Sequence, residues 1–168
     1  CHNPTGIDLS LDDWRAVAEL CASKGLLPML DVAYHGFSHG LTEDMQGVRV
    51  FMEAVPEVLL SYSCSKNFGL YRDRTGCFLL KGTTAEAVRT TSTHVASLAR
   101  TSYSMPPAHG AASVATILGD ADLRAEWEAE LTQMRERMIG LRKALADALV
   151  SRTGSNVLGR LSTQNGMF

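Results

Sequence analysis

The stretch Ser61–Gly76, SYSCSKNFGLYRDRTG, places Lys66 behind small hydroxyl residues and eight residues before Arg74. The apolar run that leads into it, Val58–Tyr62, is typical of a buried strand. The polar residues are therefore expected just beyond the carboxyl end of that strand. Ligands bind outside those ends in open α/β sheets. The stretch thus predicts a sheet and also the edge of that sheet at which a site would lie.

Two more apolar runs continue this pattern. Leu26–Leu30 ends at Asp31, and Gly76–Leu80 follows the polar loop. A helical stretch over 43–53 separates the first two predicted strands. This strand–helix–strand spacing predicts an α/β fold with a mostly parallel sheet and helices on its faces.

Helical periodicity dominates the rest of the chain. Ser10–Lys24 carries apolar residues at i, i+3, i+4 and i+7, with an N-cap serine at its start and Gly25 as a stop. Further helices are predicted over 84–100 and 108–118. From Trp127 to Ala148 the apolar residues alternate steps of four and three. That stripe predicts a long helix packed along a core or between domains, with a lone coiled coil as the alternative.

Composition limits the classes of function. The 168 residues suffice for one domain, and the net charge of −2 without a basic run disfavours a nucleic-acid partner. No apolar run is long enough to span a bilayer. The four cysteines form no C-x-x-C pair, so we expect reduced thiols in a cytoplasmic protein. Because the chain begins CHNPTG and ends QNGMF, like the approach to another strand, we expect a piece of a longer protein.

Four stretches, in this order, resemble those of the pyridoxal phosphate-dependent aminotransferases of fold type I, and most closely the aspartate and aromatic-amino-acid subgroup. The stretches are CHNPTG at Cys1–Gly6, DVAYHGF at Asp31–Phe37, SCSKNFGLYRDRTG at Ser63–Gly76 and ARTSYSMPPAHGA at Ala99–Ala111. The final QNGMF is similar to a later motif of that family. Taken together, the resemblance covers essentially the whole chain.

The resemblance implies roles for residues at the cofactor's ring. Lys66 would form an imine with the cofactor aldehyde and later carry a proton between the substrate's α-carbon and the cofactor. Asp31 would keep the ring nitrogen protonated, and we expect it to be poorly exposed and ion-paired. Tyr34 and Asn3 would bind the ring's phenolic oxygen. The family also implies a cis peptide between Asn3 and Pro4.

At the other end of the cofactor the resemblance implies a phosphate site. Arg74 offers a bidentate donor, and Ser63 and Ser65 add hydroxyl groups. Arg72 is interpreted as a surface charge. Lys66 and Arg74 would therefore bind opposite ends of one flat ligand.

Arg100 would bind substrate. In the resembling subgroup, the matching arginine crosses a dimer interface to meet the side-chain carboxylate of acidic substrates, with Tyr103 and Ser104 near that entrance and Asn3 also at the substrate. The alternative is that Arg100 satisfies the last carbonyl groups of its own helix.

We therefore expect residues 1–120 to belong to the cofactor-binding large domain and 121–168 to form a long helix leading into a small domain. The parent protein would be a homodimer that transfers an amino group between an L-amino acid (aspartate, glutamate or aromatic) and a 2-oxo acid. It would have no nucleic-acid or membrane partner. The glycine-rich loop and the carboxylate-binding arginine of the family do not occur, so the piece alone is expected to be inactive.

Several alternatives stay open. Another pyridoxal phosphate enzyme of the same fold, a decarboxylase or lyase, would use the same lysine. The chain could also be a non-catalytic cofactor-binding remnant. Ser63 and Lys66 fit the S-x-x-K pattern of acyl-serine hydrolases, although the partner motifs are missing. His35 and His39 are spaced like zinc ligands but lack a third.

Overall fold

The computed structural model describes residues 1–166. Its helices and strands, in chain order, are α1 (Leu11–Lys24), β1 (Met29–Val32), α2 (Gln46–Ala54), β2 (Val58–Ser63), β3 (Gly76–Lys81), α3 (Ala85–Tyr103), α4 (His109–Gly119) and α5 (Ala121–Thr153). Two 3₁₀ segments, Glu43–Met45 and Asn156–Thr163, complete the order. Each predicted helix and strand is present, with ends shifted by a few residues.

The predicted caps of α1 are confirmed. The side chain of Ser10 accepts a hydrogen bond from the backbone of Asp13, whose carboxylate accepts one in return, so two amide groups at the helix start are satisfied. The helix ends at Gly25, which adopts the left-handed conformation with φ of 61°. Local sequence chemistry thus determines both ends of α1.

The three strands form one sheet in the order β1–β2–β3. β1 and β2 are parallel, but β2 and β3 are antiparallel, so the sheet is mixed and the mostly parallel arrangement was wrong for β3. The reason is the connection over 64–75, which contains no helix. A parallel return needs a crossover of a dozen residues or more, usually helical.

The core lies between the sheet and the helices α1 and α2. Its buried residues are Ala18, Cys21, Leu30, Val48, Phe51, Val55, Val58 and Leu60. Trp14 packs edge-to-face on Phe51, with ring centroids 5.5 Å apart. At the end of α2 the Lys81 ammonium donates to the carbonyl groups of Met52 and Val55, at 2.5 and 2.8 Å. This cation satisfies carbonyls that the helix end leaves unpaired.

Helix α5 is the 33-residue helix that the apolar stripe predicted, and it packs on α4 and the last 3₁₀ segment of the same chain. The stripe describes only its first half. Leu131 is buried, but Leu141 and Leu145 are each 50% exposed and Arg142 is buried instead. Arg142 donates to the carbonyl groups of Gln164 and Gly166 and so fixes the segment that follows. The expected strand approach in QNGMF falls partly on Met167 and Phe168, outside the described residues.

Among residues 1–166, no helix combines the length and the apolar composition that crossing a membrane requires.

Candidate active site

The carboxyl ends of β1 and β2 meet at one edge of the sheet because the two strands are parallel and in register. Asp31 pairs with Ser61 and Val32 with Tyr62. Beyond these pairs, the two loops bring Lys66 and Tyr34 together. The Lys66 Nζ lies over the Tyr34 ring, 4.8 Å from its centroid, and both side chains are half-buried. The fold therefore brings these two candidate site residues into contact.

The loop from β2 to β3 closes on itself. The Cys64 N–H donates to the Thr75 carbonyl at 3.0 Å, which extends the strand pairing by one step and places Ser65 and Arg74 immediately beyond that bond, at the start and the end of the remaining loop. The Ser65 N–H donates to the Ser63 hydroxyl at 3.2 Å. The three residues predicted to hold a phosphate thus lie where the loop begins and ends.

Arg74 has an unusual backbone conformation, with φ of 52° in a residue that is not glycine. Its guanidinium is exposed and donates to the Tyr71 carbonyl at 2.9 Å. The guanidinium has five N–H groups, so donors remain for an incoming anion.

The loop that follows β1 is organised by one carboxylate. Asp44 accepts hydrogen bonds from four backbone amides, those of Gly36, Ser38, His39 and Gly40. Helix α5 holds the same loop from outside: Arg135 donates to the Gly36 carbonyl at 3.2 Å, and Leu131 packs against Gly36. Tyr34 therefore begins a loop whose path is fixed on two sides.

The same face of α5 contacts the lysine loop. Trp127 donates from Nε1 to the Asn67 carbonyl at 2.6 Å, and its ring stacks on Phe68 with centroids 4.4 Å apart. Trp127, Leu131 and Arg135 follow one another at intervals of four residues, so one stripe of the helix reaches both loops.

A polar chain that the sequence did not reveal joins the two loops. The Asn67 amide donates to the Tyr62 hydroxyl at 2.7 Å, and that hydroxyl lies 2.7 Å from His35 Nδ1. His35 Nε2 lies 2.6 Å from the Leu41 carbonyl. We call these four groups the relay. Nothing in the sequence pattern indicates it, because the two ends of the His35–Tyr62 bond are 27 residues apart.

Asp31 departs from its predicted environment. It was expected to be poorly exposed and ion-paired, but it is exposed, and the ion pairs of residues 1–166 do not include it. The physical reason is the alternation along β1: Leu30 points into the core, whereas Met29 and Asp31 point to a face that no described element covers. Asp31 and Tyr34 line a cleft of about 450 Å³, and Lys66 borders another of about 360 Å³.

Asn3 and Arg100 lie away from this contact. Asn3 is exposed in a turn that contains the predicted cis peptide to Pro4. That turn leads to Gly6, whose carbonyl accepts from Asn165 at 2.7 Å. Arg100 is exposed in the last turn of α3 and donates to the Ser104 hydroxyl at 2.7 Å. Within residues 1–166, no hydrogen bond, ion pair or ring contact joins Asn3 or Arg100 to Lys66 or Tyr34.

The zinc alternative does not fit the histidines. Both ring nitrogens of His35 are engaged by the relay, and the part of the chain that the structure describes holds no group of three or more candidate metal ligands. The four cysteines are free thiols.

Tyr62 supplies a prediction on stability. Burial raises the pKa of Tyr62 to about 12, with smaller contributions from the neighbouring thiols and an opposing one from the Asn67 bond. The folded chain therefore keeps a proton between about pH 10 and pH 12 that the unfolded chain has released, and stability falls as pH rises through this range. Tyr62→Phe removes this dependence of stability on pH. It also leaves the Asn67 amide, whose Oδ1 is already buried without a partner, with no acceptor for its N–H.

We expect Tyr62→Phe to lower the free energy of unfolding by about 1–3 kcal/mol near neutral pH. The difference from wild type should narrow above about pH 10. Urea denaturation at the two pH values measures both, with the exposed Tyr71→Phe as the matched control. A difference that stays constant with pH would contradict the assignment.

Comparison with known proteins places the chain in a family. Residues 1–168 match the family model described as aminotransferase class I and II. The tyrosine aminotransferase of Rhizobium meliloti (strain 1021) is 53% identical over 169 residues, covering 100% of this chain and 43% of that protein. The aspartate aminotransferase of Haemophilus influenzae is 47% identical, covering 100% of this chain and 42% of that protein.

Among solved structures, the aromatic-amino-acid aminotransferase of Burkholderia pseudomallei, covalently bound to pyridoxal phosphate, is 36% identical with a TM-score of 0.94. It aligns with 99% of this chain, which covers 42% of that structure. The expected fold type I architecture is confirmed over the described residues. The chain spans less than half the length of these relatives. With its motifs on the loops that follow β1 and β2, the chain belongs to the class I and II aminotransferase family.

Proposed function

We propose that the protein carrying these 168 residues transfers an amino group between an L-amino acid and a 2-oxo acid, with pyridoxal phosphate as cofactor. The observation that carries the proposal is the position of Lys66, whose amine lies over the Tyr34 ring where the ends of two parallel strands meet. A half-buried lysine at a strand end is suited to condense with a carbonyl group. The family match and the three relatives support the same activity.

The residues present fit the cofactor in their donor types. Ser63, Ser65 and Arg74 supply two hydroxyl groups and a guanidinium at the two ends of one closed loop, which suits a phosphate dianion. Because the Ser63 oxygen accepts from the Ser65 amide, its own hydroxyl hydrogen remains available for donation. Lys66 lies between these groups in sequence and supplies the amine.

When bound, pyridoxal phosphate supplies an aldehyde that Lys66 condenses with and a ring that withdraws electrons from the substrate's α-carbon. Lys66 would hold and move the proton at that carbon. Tyr34 and Asn3 would donate hydrogen bonds to the ring's oxygen, and Asp31 would keep the ring nitrogen protonated. Asp31 can fill this role only if the exposed face of β1 is covered in the whole protein, because water weakens the attraction between its carboxylate and the protonated ring nitrogen.

Lys66→Ala should abolish the absorbance band in the near-ultraviolet to violet that forms when pyridoxal phosphate is added to the protein. The matched control is Lys24→Ala, at the exposed end of α1, which should keep the band. Borohydride should remove the band from the control by reducing the lysine linkage. Persistence of a borohydride-sensitive band in Lys66→Ala would contradict the proposal.

Arg100 determines the preference for acidic substrates in this proposal, from across a homodimer interface. Support comes from α3, which has no buried residue over its 19 residues and so presents Arg100 to a partner subunit. The bond from Arg100 to Ser104 preserves the alternative of a purely structural role at the helix end.

In the whole protein, Arg100→Met should lower kcat/KM for aspartate on the order of 100-fold, because the buried side-chain carboxylate of the substrate would lose its charged partner. The value for phenylalanine should change much less. Arg89→Met, on the same exposed helix, is the matched control and should leave both substrates unaffected. Equal losses for the acidic and the aromatic substrate would show that Arg100 does not determine this preference.

The 168 residues alone should show little or no transamination. They span less than half of the relatives' length and leave Asp31 exposed. Substrate orientation, which supplies a large part of such rates, would be incomplete. Purified chain is mixed with pyridoxal phosphate, an amino acid and a 2-oxo acid, and product formation is followed. Turnover close to that of a full-length relative would contradict this expectation.

The remaining expectations stay part of the proposal. Residues 1–120 belong to the large domain and 121–168 lead into the small domain; the protein is cytoplasmic and acts without nucleic acid or membrane. A decarboxylase or lyase on the same fold, or a cofactor-binding remnant, would retain the Lys66 band. The whole protein's reaction products distinguish an aminotransferase from a decarboxylase or lyase and from a non-catalytic remnant.

A further inference from the structure

The relay has a defined direction. The Leu41 carbonyl can only accept, so His35 Nε2 carries the proton of the neutral ring and Nδ1 is an acceptor. The Tyr62 hydroxyl donates to that Nδ1 and accepts from the Asn67 amide. Every hydrogen along the path therefore has one acceptor. The chain of bonds starts on the lysine loop and ends on the loop that follows β1.

Two members of the relay, Asn67 and His35, are adjacent in sequence to candidate catalytic residues. Asn67 follows Lys66 in sequence, and His35 follows Tyr34. The two pairs are neighbours in space as well, since the Lys66 amine lies 4.8 Å from the Tyr34 ring centroid. A displacement of Asn67 or His35 is therefore transmitted through one peptide unit to the residue at the site.

Neighbouring groups hold Asn67, Tyr62 and His35 in place. Asn67 is 1% exposed, and its main chain is held by Trp127 through a bond of 2.6 Å. The rings of His35 and Tyr62 pack edge-to-face with centroids 5.6 Å apart. Within the described residues, the bonds from Asn67 to Tyr62 and from Tyr62 to His35 form the side-chain hydrogen-bond path between the two loops.

We propose that Tyr62 and His35 are positioning residues, which hold Lys66 against Tyr34 through Asn67 and so fix the reactivity of the Lys66 amine toward an aldehyde. The proposal rests on the proposed function, because it assigns a role to the same lysine. It adds a specific cause for the lysine's placement, in two side chains to which the proposed function assigns no contact with cofactor or substrate.

The test measures the Lys66 amine directly, without turnover. The cofactor-free whole protein is treated briefly with pyridoxal phosphate, reduced with borohydride and mapped by peptide mass spectrometry. The ratio of label on Lys66 to label on the exposed Lys24 gives the preference for the site lysine within one molecule. The variants are Tyr62→Phe, His35→Phe and the double variant. His94→Phe, the same substitution on the exposed α3, is the matched control.

Because a misplacement of about 1 Å can cost on the order of 100-fold in rate, we expect each single variant to lower the ratio about tenfold. The double variant should lower it no further, since both changes break one chain of bonds. His94→Phe should leave the ratio unchanged. Circular dichroism confirms that each variant is folded at the labelling temperature. Tyr62→Phe removes one oxygen and keeps the packed ring, so it carries the test if His35→Phe does not fold.

An unchanged ratio in a folded Tyr62→Phe protein would overturn the proposal and leave the proposed function intact, because the relay would then serve stability alone. A labelling ratio in the double variant that falls by the product of the two single effects would also overturn the proposal, because the two side chains would then act independently. A wild-type ratio near one would instead contradict the proposed function itself, and the role of the relay with it.

Discussion

The parallel register of β1 with β2 is the constraint on which the candidate site depends. It brings the ends of two strands that are 31 residues apart in sequence to one edge, so that the loops beginning at Ala33 and Cys64 are neighbours. An antiparallel pair would have sent these loops to opposite edges of the sheet. This arrangement makes the contact between Lys66 and Tyr34 possible.

Helix α5 converts this juxtaposition into a fixed geometry. Three residues on one stripe, Trp127, Leu131 and Arg135, contact the two loops, and Asp44 holds the amides of the first loop from inside. Loops are usually the mobile parts of a fold. Here the backbone groups of both loops are bonded to rigid elements, which suits a site that must hold a lysine in one place.

Much of this could be predicted from the sequence. The caps at Ser10 and Gly25, the apolar runs and the polar residues after them define the elements and the edge of the site, because each is a local signal. The relay could not be predicted: a histidine, a tyrosine and an asparagine have no periodicity, and their meeting depends on register and rotamers. The orientation of β3 was mispredicted, although the absence of a helical pattern over 64–75 already favoured an antiparallel return over a parallel crossover.

Asp31 shows most clearly which features of the site follow from the local sequence and which depend on distant parts of the chain. The sequence predicted Asp31 just after a buried strand, whereas it lies within β1, on the face of the strand that points away from the core. Its exposure depends on what covers that face, and no described residue does. A crystal structure of the whole protein with pyridoxal phosphate is the most direct test. The account predicts that Lys66 is joined to the cofactor, that Ser65 and Arg74 contact its phosphate, and that the Asp31 carboxylate lies within about 3.2 Å of the ring nitrogen. A cofactor bound elsewhere, or an Asp31 carboxylate facing solvent away from the ring, would contradict it.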